Sequence, residues 1–123
     1  MSHAAHVRLR IPRGTEFWTR WICRGPIEGL IEAAVVFCRE PNDDEMITLD
    51  EFELRAGPDD YLDGFYRITG TPARDLTPGT YRPVAARVRV REHPRDVFVD
   101  LGHYSDEFSI VVFDASPLAT PIP

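Results

Sequence analysis

Four histidines are the side chains in this sequence that are best suited to acid–base chemistry: His3, His6, His93 and His103. Histidine changes its charge near neutral pH and acts as a general acid or base when a carboxylate lies beside it. His93 and His103 fall in predicted turns and could meet at one end of a β fold. Because nothing in the sequence brings them together, surface positions are the simpler interpretation. An enzyme that uses His93 or His103 is therefore the third of three hypotheses.

Acidic segments offer the oxygen ligands that calcium prefers. Asp59, Asp60 and Asp63 precede Gly64, and residues 42–45 read Asn-Asp-Asp-Glu. Their spacing does not match an EF-hand loop, so solvated turns are the simpler interpretation. The second hypothesis is a β-sandwich that binds calcium or a small ligand where acidic loops converge at one end. The loops concerned are 42–45, 57–64 and 102–107.

The serines and cysteines carry no recognisable catalytic or metal-binding pattern. Ser105 and Ser109 lack the elbow motif of a serine nucleophile. Cys23 and Cys38 lack the close-pair spacing of zinc ligands, so two reduced, half-buried thiols are favoured over a disulfide, which would imply an oxidising compartment. No glycine-rich phosphate loop is present. We therefore predict no cofactor, with calcium as the alternative.

Length and charge narrow the class of protein. The chain has 123 residues and a formal net charge of −6, and all 14 of its basic residues are arginine. This length suits one domain, and the acidic balance argues against a nucleic-acid binder. No apolar run has the length of a signal peptide or approaches the ~20 residues of a membrane span. We expect a cytoplasmic protein, or a virion component assembled in the cytosol, that does not bind a membrane.

Alternating apolar and polar residues predict β-strands along most of the chain. The clearest strand runs over 84–91, where Val84, Ala86, Val88 and Val90 alternate with a row that includes three arginines. This period of two indicates one dry face and one wet face. Further strands are predicted at 6–12, 15–24, 65–71, 97–101 and 108–113.

These elements predict an all-β fold, an antiparallel sandwich of seven or eight strands. The predicted domain covers residues 1–113. A proline-rich, extended tail covers residues 114–123. The strand at 15–24 carries apolar bulk on both faces, with Trp21 on one and Trp18 and Ile22 on the other, so we expect it to be central or covered on both sides.

Two segments remain open between strand and helix. In 26–39 the apolar residues recur at helical spacing and Pro26 suits a first helical position, but the flanking segments favour a turn and then a strand. In 46–56 the apolar phase changes near Asp50, which predicts a bent strand. Its rival is a short helix capped by Thr48 and Glu51. A short helix within 26–38 or 48–56 therefore stays as an alternative.

The turn before the long strand reads Leu76-Thr-Pro-Gly-Thr-Tyr81. Pro78 pre-sets φ, and Gly79 permits a positive φ. The segment resembles the E–F corner of immunoglobulin-like and fibronectin-III-like domains, a resemblance that covers roughly residues 63–91. It implies that Tyr81 hydrogen-bonds back to the turn backbone and that Leu76 is buried.

Two departures from that resemblance bear on the fold. Tyr81 is out of phase with the valines that follow Pro83, so the resemblance requires a bulge or kink there. The cysteine pair of antibody domains is also absent, since Cys23 and Cys38 are too close in sequence.

Exposed arginine, aromatic and proline residues favour a binding role. The arginine row on the long strand suits an acidic partner, although a charged row also protects a sheet edge. Aromatic residues anchor interfaces, and extended proline-rich tails dock in grooves. The interface candidates are Arg87, Arg89, Arg91, Trp18, Tyr104, Pro117 and Pro121. The first hypothesis is a non-catalytic protein-interaction or structural module, a subunit or accessory of a larger phage or bacterial assembly, that binds a protein partner or itself.

Overall fold

The computed structural model describes residues 7–22, 25–41, 50–91, 93–99 and 108–114. These residues form nine strands and one 3-10 turn over Pro58–Asp60, and the predicted all-β class is confirmed. The strands are β1 (Val7–Pro12), β2 (Phe17–Ile22), β3 (Leu30–Arg39), β4 (Glu51–Ala56), β5 (Tyr61–Leu62), β6 (Phe65–Gly70), β7 (Gly79–Val90), β8 (His93–Val99) and β9 (Phe108–Phe113).

All nine described strands belong to one mixed sheet with the order β1-β9-β7-β3-β4-β6-β2. β5 pairs beside β6, and β8 pairs beside β7. The described pairs are antiparallel, except that β1 runs parallel to β9. The predicted antiparallel arrangement is corrected at this pair, because the first and last strands are not joined by a hairpin that would force opposite directions.

The sheet curls on itself because its two end strands are neighbours in the sequence. β1 and β2 lie at opposite ends of the strand order. Seven flat strands about 4.8 Å apart would span roughly 29 Å, whereas the link from Pro12 to Phe17 reaches at most ~18 Å. Backbone bonds from Arg13 N to Phe113 O (2.9 Å) and from Gly14 N to Pro72 O (2.7 Å) hold this link. The result is a nearly closed mixed barrel.

The core is built around the ring of Phe52 on β4. That ring stacks on Phe37 of β3 at 5.2 Å between centroids. It meets Tyr81 of β7 edge-on at 5.2 Å and Phe17 of β2 at 6.3 Å. Because these four rings come from four strands, the cluster packs the inward faces of the curled sheet together.

Both segments left open by the sequence are strands where they are described. β3 spans ten residues, and Ala33 to Phe37 are buried one after another. A strand covered on both faces needs no alternation, which is why its apolar spacing imitated a helix. β4 covers Glu51–Ala56, while residues 46–49 lie outside the described part. The helical alternatives are therefore wrong over 30–38 and 51–56.

The bulge that the resemblance required lies beside Pro83. Val36 pairs with Ala85 and Phe37 pairs with Pro83, which leaves Val84 as the extra residue of β7. The extra residue shifts the phase, so Tyr81 before the bulge and Ala86 and Val88 after it all point into the core. Val84 was predicted on the dry face, and this is wrong: it is 56% exposed.

Candidate interaction surface

The turn before β7 is held by the side chain of Tyr81. Tyr81 is fully buried, and its hydroxyl donates to the carbonyl oxygen of Thr77 at 2.5 Å. Leu76 is buried at the start of the same turn. Gly79 has a φ of 154°, and a Cβ there would lie 3.0 Å from Cδ of Arg39. The backbone conformation of the turn therefore favours glycine at this position, and the Tyr81 hydroxyl holds the turn from two residues later.

A buried arginine ties this corner to the end of β3. Arg39 is 8% exposed, and its Nε donates to Oδ2 of Asp50 at 2.9 Å. Hydrogen bonds from the Arg39 guanidinium and from Thr77 lower the pKa of Asp50. Burial, followed by the charge of Asp50, raises the pKa of Tyr81 to about 12. Tyr81 therefore stays protonated at neutral pH, and these bonds stabilise the corner.

The arginine row of β7 lies in a lattice of opposite charges. Glu53 accepts from Arg87 at 3.3 Å and from Arg55 at 3.0 Å. Glu32 accepts from Arg55 at 2.9 Å and is bonded to Arg89. Because β7 is a central strand, the row does not protect a sheet edge. Its long side chains reach across β3 and neutralise carboxylates on β3 and β4.

Two arginines on the outer side of β2 and β6 lie over aromatic rings and not beside carboxylates. The guanidinium carbon of Arg67 lies 4.4 Å from the ring centroid of Trp18, and that of Arg20 lies 4.8 Å from the ring centroid of Phe65. Arg20 and Arg67 are both exposed. Neither has a carboxylate partner in the part of the chain that the structure describes.

Strand register explains this stacking. Arg20 lies directly opposite Arg67 across the β2–β6 pair, and Trp18 lies opposite Thr69. Two like charges in opposite positions repel each other. Each arginine instead lies over an aromatic ring on the other strand, where the cation–π interaction is favourable.

A tight hairpin extends the apolar part of this surface. Asp63 and Gly64 have φ values of 43° and 94° and join β5 to β6. Leu62 pairs with Phe65 across this turn and is 61% exposed. Asp-Gly between two apolar residues is a hairpin signal that the sequence interpretation, which made 57–64 a loop, did not use.

We call the resulting surface the β2–β6 face. Its exposed or half-buried side chains are Trp18, Arg20, Ile22, Leu62, Phe65 and Arg67.

The prediction that the strand at 15–24 is covered on both sides is wrong. β2 lies at the end of the strand order, and only β6 pairs with it among the described strands. Trp18 is 43% exposed and Ile22 is 80% exposed. Apolar bulk on a second face is expected of a covered strand, but it is equally expected of a strand that presents an interaction surface.

The predicted acidic ligands are spread over separate turns. Asp59 and Asp60 lie in the 3-10 turn, and Oδ2 of Asp60 accepts from the N–H of Gly57 at 2.7 Å. Asp63 lies in the β5–β6 turn. Within the described ranges, no three His, Cys, Asp or Glu residues form a group that could hold a metal ion. The loops 42–45 and 102–107 lie outside those ranges.

The remaining candidates lie apart from the β2–β6 face or outside the described residues. Arg91 is exposed after β7, where its N–H donates to the carbonyl of Gly29 at 2.9 Å. Cys38 is a free thiol, and burial, followed by the charge of Glu51, raises its pKa. His93 was predicted in a turn, and this is wrong: it begins β8, where its backbone pairs with Val90. Outside the described residues lie His3, His6, Cys23, His103, Tyr104, Ser105, Pro117 and Pro121.

Comparison with known proteins assigns no function. No family model matches the sequence, and no curated protein matches it. Among solved structures, an uncharacterized protein from Bacillus anthracis str. Ames, with a crystal structure at 1.4 Å resolution, is 13% identical. That alignment covers 88% of this chain and 84% of the other, with a TM-score of 0.38, a similarity too low to assign a fold or a function. Among the described residues, no helix is long and apolar enough to cross a membrane.

Proposed function

We propose that this chain is a non-catalytic protein-interaction module with an immunoglobulin-like architecture, a cytoplasmic or virion subunit or accessory of a larger phage or bacterial assembly. The observation that carries the proposal is the β2–β6 face. There Trp18 is exposed on an end strand, and Arg20 and Arg67 contact rings in place of carboxylates. Tryptophan and arginine are enriched among residues that dominate binding energy, and apolar surface rimmed by polar groups marks interaction sites.

Strand connectivity supports the architectural part of the proposal. Let β1, β2, β3, β4, β6, β7 and β9 stand for successive strands A to G. Then G, F and C are neighbours, and B pairs with E, as in immunoglobulin domains. The fourth strand lies beside C, in the place of C′. Among the described residues, the ladder between β4 and β6 has one paired position, Arg55 with Thr69, where two sheets of a sandwich would separate. The hydrogen bond of Tyr81 to Thr77 lies at the E–F turn.

The proposal is tested by partner capture with the tagged full chain in lysate of the cells that encode it. The face variant combines Trp18→Ser with Arg67→Glu. We expect the wild-type chain to retain a specific protein partner and the face variant to lose roughly ten-fold or more of it, because it removes two contact residues.

The matched control combines Val84→Ser with Arg91→Glu, which removes one exposed apolar side chain and reverses one exposed arginine elsewhere. This control should retain the partner. Equal melting temperatures of all three proteins establish that the losses come from the surface. Equal capture by the face variant, or no partner for the wild-type chain, would refute the proposal.

A further inference from the structure

The β2–β6 face also indicates the chemistry of its partner, an inference that rests on the proposed function. We propose that an extended, acidic segment of a partner protein binds along the edge of β2 as an added strand. The segment would pair with the β2 backbone and place alternate side chains against Trp18, Arg20 and Ile22.

The charged residues of the β2–β6 face favour an acidic partner. The chain carries a net charge of −6, yet the only charged residues in β2, β5 and β6 are Arg20 and Arg67. Six other described arginines each have a carboxylate within 4 Å; they are Arg13, Arg39, Arg55, Arg82, Arg87 and Arg89. The side chains of the β2–β6 face therefore carry two positive charges and no negative one, exposed Glu16 and Asp63 flank the face, and a carboxylate-bearing partner complements Arg20 and Arg67.

The edge of β2 that faces away from β6 favours the addition of a strand. β2 pairs with β6 on one side, and no described strand pairs with its other side. In an edge strand, alternate N–H and C=O groups point away from the sheet and can accept an added strand. Strand addition derives affinity from those main-chain bonds and specificity from alternate side chains.

A second copy of this chain fits the edge of β2 less well than an acidic segment does. β2 contains one charged residue, Arg20, and two antiparallel β2 strands pair opposite charges in the register that sets Trp18 opposite Trp18, where Arg20 faces Glu16, the exposed residue before β2. β1, at the other end of the strand order, presents exposed Arg8 and Arg10. In the other registers, the end strands of two copies bring arginines close together with no carboxylate opposite them, which is unfavourable.

The spacing of the outward side chains of β2 defines the sequence pattern that an added strand needs. Side chains on one face of a strand recur at every second residue. The outward residues of β2 are Trp18, Arg20 and Ile22, which is apolar, basic, apolar. An added strand therefore fits best with an apolar, acidic, apolar pattern at alternate positions.

The test titrates the full ¹⁵N-labelled chain with a synthetic peptide of about ten residues. Valine, glutamate and valine occupy alternate positions of the peptide, with threonine between them. A second peptide has lysine in place of glutamate, and a third is methylated on alternate backbone nitrogens. We expect the glutamate peptide to shift the amide signals of β2 and the indole N–H of Trp18 in NMR spectra.

The lysine peptide should bind at least ~10-fold more weakly because it repels Arg20 and Arg67. The methylated peptide should also bind at least ~10-fold more weakly because it cannot form the main-chain bonds. Affinity should fall as salt rises from about 50 to 500 mM. Signal shifts outside β2 and β6, or equal binding of the lysine or methylated peptide, would overturn the inference.

Two substitutions of Arg20 test whether its charge contributes to peptide binding. Arg20→Glu should weaken binding of the glutamate peptide roughly ten-fold or more, and Arg20→Gln should weaken it less. Arg91→Glu is the matched control, since Arg91 is exposed and lies away from β2, and it should change binding less than about two-fold. Melting temperatures equal to that of the wild-type chain separate lost binding from lost folding.

Failure of this inference differs from failure of the proposed function. If the chain captures a partner that Arg20→Glu retains fully, the added strand is wrong while the interaction role stands. If the wild-type chain captures no partner, the proposed function itself fails.

Discussion

At the scale of single residues, the side chain of Tyr81 both packs in the core and holds a turn. Its ring packs against Phe52 in the core, while its hydroxyl donates to Thr77 in the turn before β7. Phenylalanine could perform only the first task. The fold therefore holds the turn by a polar atom that is positioned by core packing.

The raised pKa of Tyr81 predicts a stability change at alkaline pH. An unfolded tyrosine loses its proton near pH ~10, whereas burial and Asp50 raise the folded pKa to about 12. Below pH ~10 both states are protonated and the stability is fully present. Between these two pKa values the unfolded state ionises first, so we expect the free energy of unfolding to fall by on the order of 2 kcal/mol. Urea denaturation across this range measures it.

The variant Tyr81→Phe should lose about 1 kcal/mol at neutral pH, because the donor to Thr77 is gone. It should also show a smaller decline toward pH ~12. The sequence contains no lysine, so few other groups titrate in this window. Tyr61→Phe is the control, since Tyr61 packs against Tyr66 and is only half-buried. If the two variants behave alike, the corner bond does not contribute.

At the scale of strands, arginine makes two different kinds of contact. On β4 and β7, arginines pair with Glu32 of β3 and Glu53 of β4. On β2 and β6, Arg20 and Arg67 contact aromatic rings. The first arrangement covers a central strand, and the second leaves positive charge at an end strand, where a partner can reach it.

Close packing between β4 and β6 predicts a strict requirement for glycine. A Cβ on Gly70 would lie 2.7 Å from the carbonyl oxygen of Glu53 and 2.9 Å from a methyl carbon of Leu54. Backbone cannot yield as a flexible side chain does, so Gly70→Ala should lower the free energy of unfolding by about 2 kcal/mol. Chemical denaturation at neutral pH measures this loss.

Gly25→Ala provides the comparison, because a Cβ on Gly25 would have no atom within 4 Å. This change should leave stability within about 0.5 kcal/mol of the wild-type value. A neutral Gly70→Ala variant would contradict the close approach of β4 and β6.

The distribution of charge matters at the scale of the whole molecule. A net charge of −6 keeps copies of the chain apart, and the arginines of β1 and β2 oppose pairing between end strands. In the function that we propose, the β2–β6 face attracts a different and acidic protein.

This distribution predicts the mass in solution. We expect light scattering to give the monomer mass of 14.0 kDa for the full chain and a correspondingly smaller monomer for a chain without residues 116–123. If the full chain is a multimer and the truncated chain is a monomer, the proline-rich tail is an assembly arm. The chain would then bind copies of itself and not a separate acidic partner.

The sequence interpretation succeeded where structure is encoded locally. Alternation along 84–91 and the turn at 76–81 predicted strands and a turn from neighbouring residues alone. The phase conflict between Tyr81 and the residues after Pro83 required a bulge, and Val84 is that extra residue. The helical alternative within 26–38 arose because a strand covered on both sides loses its alternation.

By itself, the sequence determined the all-β class, the turn before β7 and the need for a change of phase after it, because backbone geometry expresses these over a few residues. Only the tertiary structure decided that β1 pairs with β9, that Trp18 lies on an uncovered face, and which arginines meet carboxylates. Those outcomes depend on contacts between residues far apart in the chain, and no local pattern specifies which distant strand will arrive beside a given side chain.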